Sequence, residues 1–308
     1  MPDDELEQAR DCMKLECVID SRKLRHNSTN QISTLACSNN LLACGTFEGG
    51  YLLKNIESPD AYPVEEHNLT KHTDGITNQI VINDERELLI SSNDNNIRIV
   101  DVFAKSTDTR NLPFAINCLS VNPHNHNEYF VTGDNVNSYI LDKRMSWEKF
   151  DSLPAFIGHQ DFGFACDWSP KDENLLVTGN QDCSVKLWDR RNSKESLFCW
   201  DSSLGGPSLK GGPVRNCKFN DNGDHLTWAE SLDHVGIIQV DDLMNSKDYL
   251  LRIQSIDFVG KCSGISYSPM EAGYGEDLII GINDCPLGGI LTCRLEDSFK
   301  SLDFDFFF

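Results

Sequence analysis

Between Gly158 and Arg191 the chain reads GHQDFGFACDWSPKDENLLVTGNQDCSVKLWDRR, which gathers His159, Thr178, Asp182 and Trp188 into one short stretch. A histidine near a carboxylate is the raw material of general acid–base catalysis, because the carboxylate can orient the imidazole and balance its charge. His159 and Asp182 are therefore the first candidates for a catalytic pair. The surrounding pattern offers them a second use. Apolar runs from Phe162 to Trp168, Leu175 to Gly179 and Ser184 to Leu187 are separated by the turn residues Ser169-Pro170 and Asn180-Gln181-Asp182, as in short antiparallel strands. Polar side chains that meet inside such sheets hold their twist if every one of them is satisfied, and each is costly if left alone. The strand pattern offers all four residues places within one sheet, whereas the catalytic use concerns only two of them.

Other chemistry finds less support. His124 and His126, in PHNHNE, fall in a turn between two strand patterns and are read as a solvated loop rather than a metal site. The histidines His26, His67, His72, His159, His225 and His234 are scattered over different turns, and no GxSxG, HExxH or paired-carboxylate constellation stands out. The 12 cysteines contain no CxxC; those in strand patterns, Cys37, Cys44, Cys118, Cys166, Cys217 and Cys293, read as small buried hydrophobes kept reduced. The connector SSLGGPSLKGGP lacks the GK[ST] ending of a phosphate cradle and leads into no helix. The expectation is a chain with no catalytic residues, no metal and no cofactor.

Charge narrows the partners. The 308 residues carry 48 acids against 27 lysines and arginines, a net charge of -21. Such a surface repels phosphate backbones and anionic lipid. The basic groupings are limited to Arg22-Lys23-Leu24-Arg25 and Arg190-Arg191, so neither nucleic acid nor membrane is expected as a partner. The start, MPDDELEQARDCMKLEC, is acidic and lacks an apolar core of signal-peptide length, and no window is apolar enough to span a bilayer. A cytosolic or nuclear location follows as an expectation.

The stretch from Gly158 to Arg191 recurs in weaker form. Copies begin at ISTLACSNN, GITNQIVIND, FAINCLSVNP, the reference stretch itself, VRNCKFNDNG and GKCSGISYSP, with an apolar landmark at Leu35, Ile80, Leu119, Ala165, Cys217 and Ile265. The spacing is roughly 40 to 50 residues, the period of a four-stranded blade. Asp94 takes the turn position of Asp182 in the second copy, with His72 as a relic of the opening Gly-His pair. One such sheet cannot bury both faces, whereas stacked copies cover one another. The fold class is therefore all-β, with six visible blades across residues 31–300. Residues 1–30, including an apolar run from Leu15 to Ile19, and the tail 301–308 with its phenylalanines stand as closing strands that could complete a seventh.

Opened by Gly158-His159 and closed by Trp188-Asp189, the reference stretch resembles one blade of a WD-repeat β-propeller. The segments STLACSNNLLACGTFEGG, GHQDFGFACDWSP, GNQDCSVKLWDRRN, GPVRNCKFNDNGDHL and GISYSP are similar to a little-characterised family of fungal and plant WD-repeat proteins. The resemblance implies a tetrad in which Asp182 orients His159, His159 reaches Thr178, and the Thr178 hydroxyl meets the Trp188 indole. It implies a non-catalytic scaffold that binds other proteins. The endings Leu141-Asp142-Lys143-Arg144 and Trp188-Asp189-Arg190-Arg191 resemble the W-D-x-R box by which WD-repeat receptors dock to the adaptor of cullin-RING ubiquitin ligases. That makes Arg144 and Arg191 adaptor-binding candidates. A propeller enzyme with a site in its central channel is the remaining alternative. Gln160, Asp161 and Phe162 form a candidate partner-binding loop, since loops over a rigid scaffold vary without disturbing the fold.

Overall fold

The computed structural model describes residues 31–38, 40–57, 64–70, 75–83, 87–147, 150, 153–202, 211–268, 276–283 and 288–295, and the backbone of 304–307. His72, the run from Leu15 to Ile19 and most of the glycine-rich connector lie outside the described residues. The chain divides into two compact units, one ending at Ala115 and the other beginning at Ile116.

The first unit holds two sheets, each of four antiparallel strands in chain order. They are β1 (Ile32–Ser38), β2 (Leu41–Thr46), β3 (Gly50–Asn55) and β4 (Glu65–Asn68), then β5 (Thr77–Ile82), β6 (Glu87–Ser92), β7 (Asn96–Asp101) and β8 (Ser106–Asn111). Each second strand is buried nearly throughout and each fourth is largely exposed, the gradient expected when inner strands carry the core. Ala43, Leu53, Ile80, Leu88, Ile90 and Val100 join the two sheets in one apolar cluster.

In the second unit the third sheet comprises β9 (Ile116–Val121), β10 (Glu128–Gly133), β11 (Ser138–Asp142) and β12 (Ala155–Phe156). The fourth comprises β13 (Gly163–Trp168), β14 (Leu175–Asn180), β15 (Ser184–Asp189) and β16 (Phe198–Asp201). The fifth sheet is different. It has seven strands, β17 (Val214–Phe219), β18 (His225–Glu230), β19 (Leu232–Gln239), β20 (Gln254–Tyr267), β21 (Glu276–Asn283), β22 (Gly289–Leu295) and β23 (Phe304–Phe307).

The repeats counted in the sequence thus fall into five sheets, and β20 is the reason. Its first residues pair with β19 (His234 with Asp257, Val235 with Ile256), as the outer strand of the fifth repeat does. Its last residues, Lys261 to Tyr267, pair with β21 as the inner strand of the sixth. With no loop between the two roles, two repeats share one ladder. Gly260, at φ 139°, lies in the stretch that passes from one partner to the other.

The ladders also correct the apolar landmark. In the second to sixth repeats the turn joining first and second strands closes with one bond: Asn83 to Glu87, Asn122 to Glu128, Ser169 to Leu175, Asn220 to His225 and Ser268 to Asp277. Counted from that bond, the fourth repeat's landmark is Cys166, opposite Thr178, rather than Ala165. The hairpin between second and third strands reaches positive φ at one position, filled by Gly49, Asn95, Cys183 and Asp233 in four repeats. Of the cysteines expected inside, Cys44, Cys118, Cys166, Cys217 and Cys293 are buried, but Cys37 is exposed, in a strand, β1, with no buried residue.

Candidate functional site

The fourth sheet brings His159, Thr178, Asp182 and Trp188 together. His159 follows β12, Thr178 lies within β14, Asp182 sits in the next hairpin and Trp188 lies on β15. Asp182 Oδ2 lies 2.9 Å from His159 Nδ1, His159 Nε2 lies 2.7 Å from Thr178 Oγ1, and Trp188 Nε1 donates to that same oxygen at 2.8 Å. One proton arrangement satisfies every atom: Nδ1–H donates to Asp182, Nε2 accepts the threonine hydroxyl, and the threonine oxygen accepts the indole N–H. That arrangement requires a neutral imidazole.

The environment agrees. The His159 side chain is 1% exposed, and burial holds its pKa below the ordinary histidine value although Asp182 pulls the other way. For Asp182, burial alone would raise the pKa; hydrogen bonds from His159, Ser184 and the Gln160 backbone overcome it and leave the carboxyl well below the usual range. Gly158 explains the Gly-His opening: its φ is 154° and a Cβ there would lie 3.3 Å from the Trp188 ring. Phe156 meets that ring edge-on at 5.7 Å.

Ser184 escaped the sequence reading. Its hydroxyl donates to Asp182 Oδ1 at 2.6 Å and lies 3.1 Å from His159 Nδ1. A serine two residues after a turn aspartate, whose carboxylate accepts the serine's backbone N–H at 3.0 Å, was the available signal. Asp167 was missed as well. It accepts from Ser120 Oγ on β9 and from the Phe219 backbone N–H on β17, both at 2.8 Å, so one carboxylate links three consecutive repeats. Burial pushes its carboxyl up.

Arg144 and Arg191 share one local geometry. Each guanidinium forks onto the aspartate two residues earlier, Arg144 onto Asp142 and Arg191 onto Asp189, and each aspartate also accepts the arginine's backbone N–H. The arginine hydrogen bonds hold both carboxyls below the usual range. Both arginine side chains stay largely exposed, at 61% and 72%. In the second repeat the same turn carries Phe103 after Asp101.

The loop residues Gln160, Asp161 and Phe162 are all exposed, with Phe162 at 44%. They are not free of the network: the Gln160 N–H donates to Asp182 Oδ2 at 2.9 Å, and the Gln181 N–H donates to the Phe162 carbonyl at 2.9 Å. His124 lies in the turn after β9, where Nε2 is 3.3 Å from the Ser169 carbonyl oxygen. Among the described residues no group of three or more His, Cys, Asp or Glu side chains is placed to hold a metal ion, and no helix is long and apolar enough to cross a membrane.

The family model for the WD domain, G-beta repeat, matches residues 151–189, the span that holds the hydrogen-bonded quartet. This is a WD-repeat chain. Its fold is all-β, of the WD-repeat propeller type. A chain of the solved Mitotic Checkpoint Complex superposes with a TM-score of 0.67 at 15% identity, over 89% of this chain and 76% of that one, which is a likeness of fold. Among curated relatives, Ribosome biogenesis protein YTM1 of Saccharomyces cerevisiae is 28% identical over 227 residues, 72% of this chain and 43% of the relative. The GATOR2 complex protein WDR24 of Gallus gallus is 32% identical over 76 residues, 23% of this chain and 10% of the relative. This WD-repeat chain thus spans less than half the length of either relative. The matches bear out the WD-repeat likeness and do not extend to the narrower fungal and plant grouping.

Proposed function

We propose that the chain is a non-catalytic scaffold that holds other proteins together, working in the cytosol or nucleus. One observation carries this. The His159–Asp182 pair spends its polar atoms on Thr178, Ser184 and Gln160, with the imidazole sealed from solvent. A general base needs a lone pair within reach of a substrate proton, and here that lone pair accepts the Thr178 hydroxyl. The quartet then acts as a brace, and the exposed loop it anchors, Gln160 to Phe162, presents an aromatic side chain to partners. The relatives named for ribosome biogenesis make that process the first setting in which to look for them.

The test is proximity labelling in cells with the intact chain and with a Gln160→Ala, Asp161→Ala, Phe162→Ala variant. A set of proteins enriched by the first and lost with the second is the expected result. A hydrolase panel that finds turnover in the pure protein, abolished by His159→Gln, would overturn the scaffold in favour of an enzyme.

A second reading rests on the twin Asp–Arg forks. Their identical geometry at the ends of two successive repeats suits docking to the adaptor of a cullin-RING ligase, which a guanidinium would meet by re-forking onto its carboxylates or carbonyls. Ligase subunits that co-purify with the intact chain and vanish from Arg144→Ala with Arg191→Ala are the expected outcome. Their retention by that variant counts against the forks.

A further inference from the structure

The connection from β19 to β20 is unlike the others described. Where β7 passes to β8 through a short turn, this one winds into a helix, α1 (Val240–Asn245), and a 3-10 turn, Tyr249–Arg252. The insertion is firmly seated. Leu243 is fully buried in the core shared by the fourth and fifth sheets, and Tyr249 packs edge-on against Phe198 at 5.1 Å and Trp200 at 6.4 Å. Held in this way, α1 forms one wall of a cavity of about 560 Å³, whose other walls are the turns after β9, β13 and β17. That volume lies within the range of roughly 300–1,000 Å³ typical of ligand sites.

The lining has two parts. Leu175 and Val240 supply a buried apolar floor, and Met244, 46% exposed, stands at the rim. Asp172, Glu173 and Asp241 supply the charge. The nearby cations are already committed: Lys171 to Asp224 at 2.5 Å, Arg190 to Glu128 at 3.0 Å, and Arg191 to Asp189. Arg191 also feels Asp172 and Glu173, but its fork stays on Asp189. Asp172 receives only neutral donors, the Asn174 backbone and amide N–H groups. Lys171 likewise feels Asp241 while bound to Asp224, and among the described residues no cation forms an ion pair with Glu173 or Asp241. The groove therefore joins an apolar floor to surplus negative charge.

We infer that this groove docks a protein segment in which an apolar side chain is flanked by lysine or arginine. The apolar side chain covers Leu175 and Val240, and the basic stems lie along Met244 while their heads reach Glu173 and Asp241. Opposite charge also draws such a segment to the site ahead of neutral competitors. The inference rests on the scaffold reading and gives it one partner chemistry.

Fluorescence anisotropy tests it, with the intact protein at about 0.15 M salt, where general surface attraction is screened beyond roughly 8 Å. The probe is a fluorescein-labelled peptide of alternating arginine and leucine, compared with versions carrying glycine for leucine or glutamate for arginine. Saturable binding of the first peptide alone is expected. Glu173→Gln with Asp241→Asn should weaken it roughly five- to tenfold, as loss of two exposed charge pairs does. Asp134→Asn with Asp201→Asn removes the same charge elsewhere and should change binding less than twofold. Met244→Ser should weaken the leucine peptide and leave the glycine peptide unaffected. Equal loss from both acid pairs, or equal binding of the leucine and glycine peptides, would mean attraction to the net charge only and end the proposal, as would no binding. If the peptide fails while proximity labelling still returns partners, the groove alone falls and the scaffold stands.

Discussion

The second and fourth blades answer one structural problem in two ways. Each has an aspartate at the same hairpin position, Asp94 and Asp182, and each carboxyl is held below its usual range against the opposing effect of burial. In the fourth blade the partner is a neutral imidazole brought from a separate segment, and the bond ties the incoming loop to the hairpin. In the second the partner is Arg98, four residues along on the next strand, with its guanidinium also reaching Ser92. Val100 stands where Trp188 stands, and Ile90 where Thr178 does. The aspartate stays because the turn geometry suits it, while the group that neutralises it depends on which side chains share its face. The fourth blade gains a link between distant segments; the second gains only a stiffer hairpin.

The largest expected effect falls on the fourth blade. Thr178→Val keeps the shape but strands His159 Nε2 and Trp188 Nε1 in a buried site, which should cost about 3 kcal/mol in urea unfolding. A loss under about 1 kcal/mol would show that the network adds little beyond packing. Asp94→Asn is the matching change in the second blade. It leaves a buried Arg98 without its anion and should cost about 2 kcal/mol, below the figure for a fully buried pair because the Asp94 side chain is 24% exposed. Asp94→Leu with Arg98→Met should recover most of that, since apolar replacement of a whole pair is nearly neutral.

The two blades also separate by pH. A histidine whose folded pKa is depressed contributes stability that is complete above its unfolded value, about 6.5, and declines as pH falls below it. A depressed aspartate does the same below about 3.9. Asp182 and Asp94 share the lower window, and only His159 acts in the upper one. His159→Gln should therefore flatten the decline of the unfolding free energy as pH falls below about 6.5, removing up to about 1.4 kcal/mol per pH unit. An unchanged slope would show that His159 is not held neutral. The smallest effect concerns hairpin strain. Cys183, at φ 66°, occupies the position that Gly49 fills in the first blade, so Cys183→Gly should stabilise by about 0.5 kcal/mol. Asn95→Gly should do less, since asparagine tolerates that conformation.

Much of the fourth blade was legible because the polar quartet and its turns are encoded locally, in residues that tolerate few other uses. The second blade's ion pair was not. Arg98 lies in NIRIVD, where a single charge in a strand normally points to solvent, and only the ladder places it over Asp94. The partners of Asp167 were hidden for a related reason: they belong to β9 and β17, far away in the chain. The forks of Arg144 and Arg191 are local, and their geometry follows from an aspartate two residues earlier.

By itself the sequence determined the all-β repeat and its strand order within each copy, since period and turn residues act over few residues, while likeness to WD repeats marked the quartet from His159 to Trp188. The tertiary structure alone decided that β20 serves two repeats, that Asp167 joins three, and that α1 closes a groove with an apolar floor and unbalanced acids. Those features depend on which segments meet after folding, and burial and charge balance at such meetings are properties of the assembled surfaces rather than of any one stretch of chain.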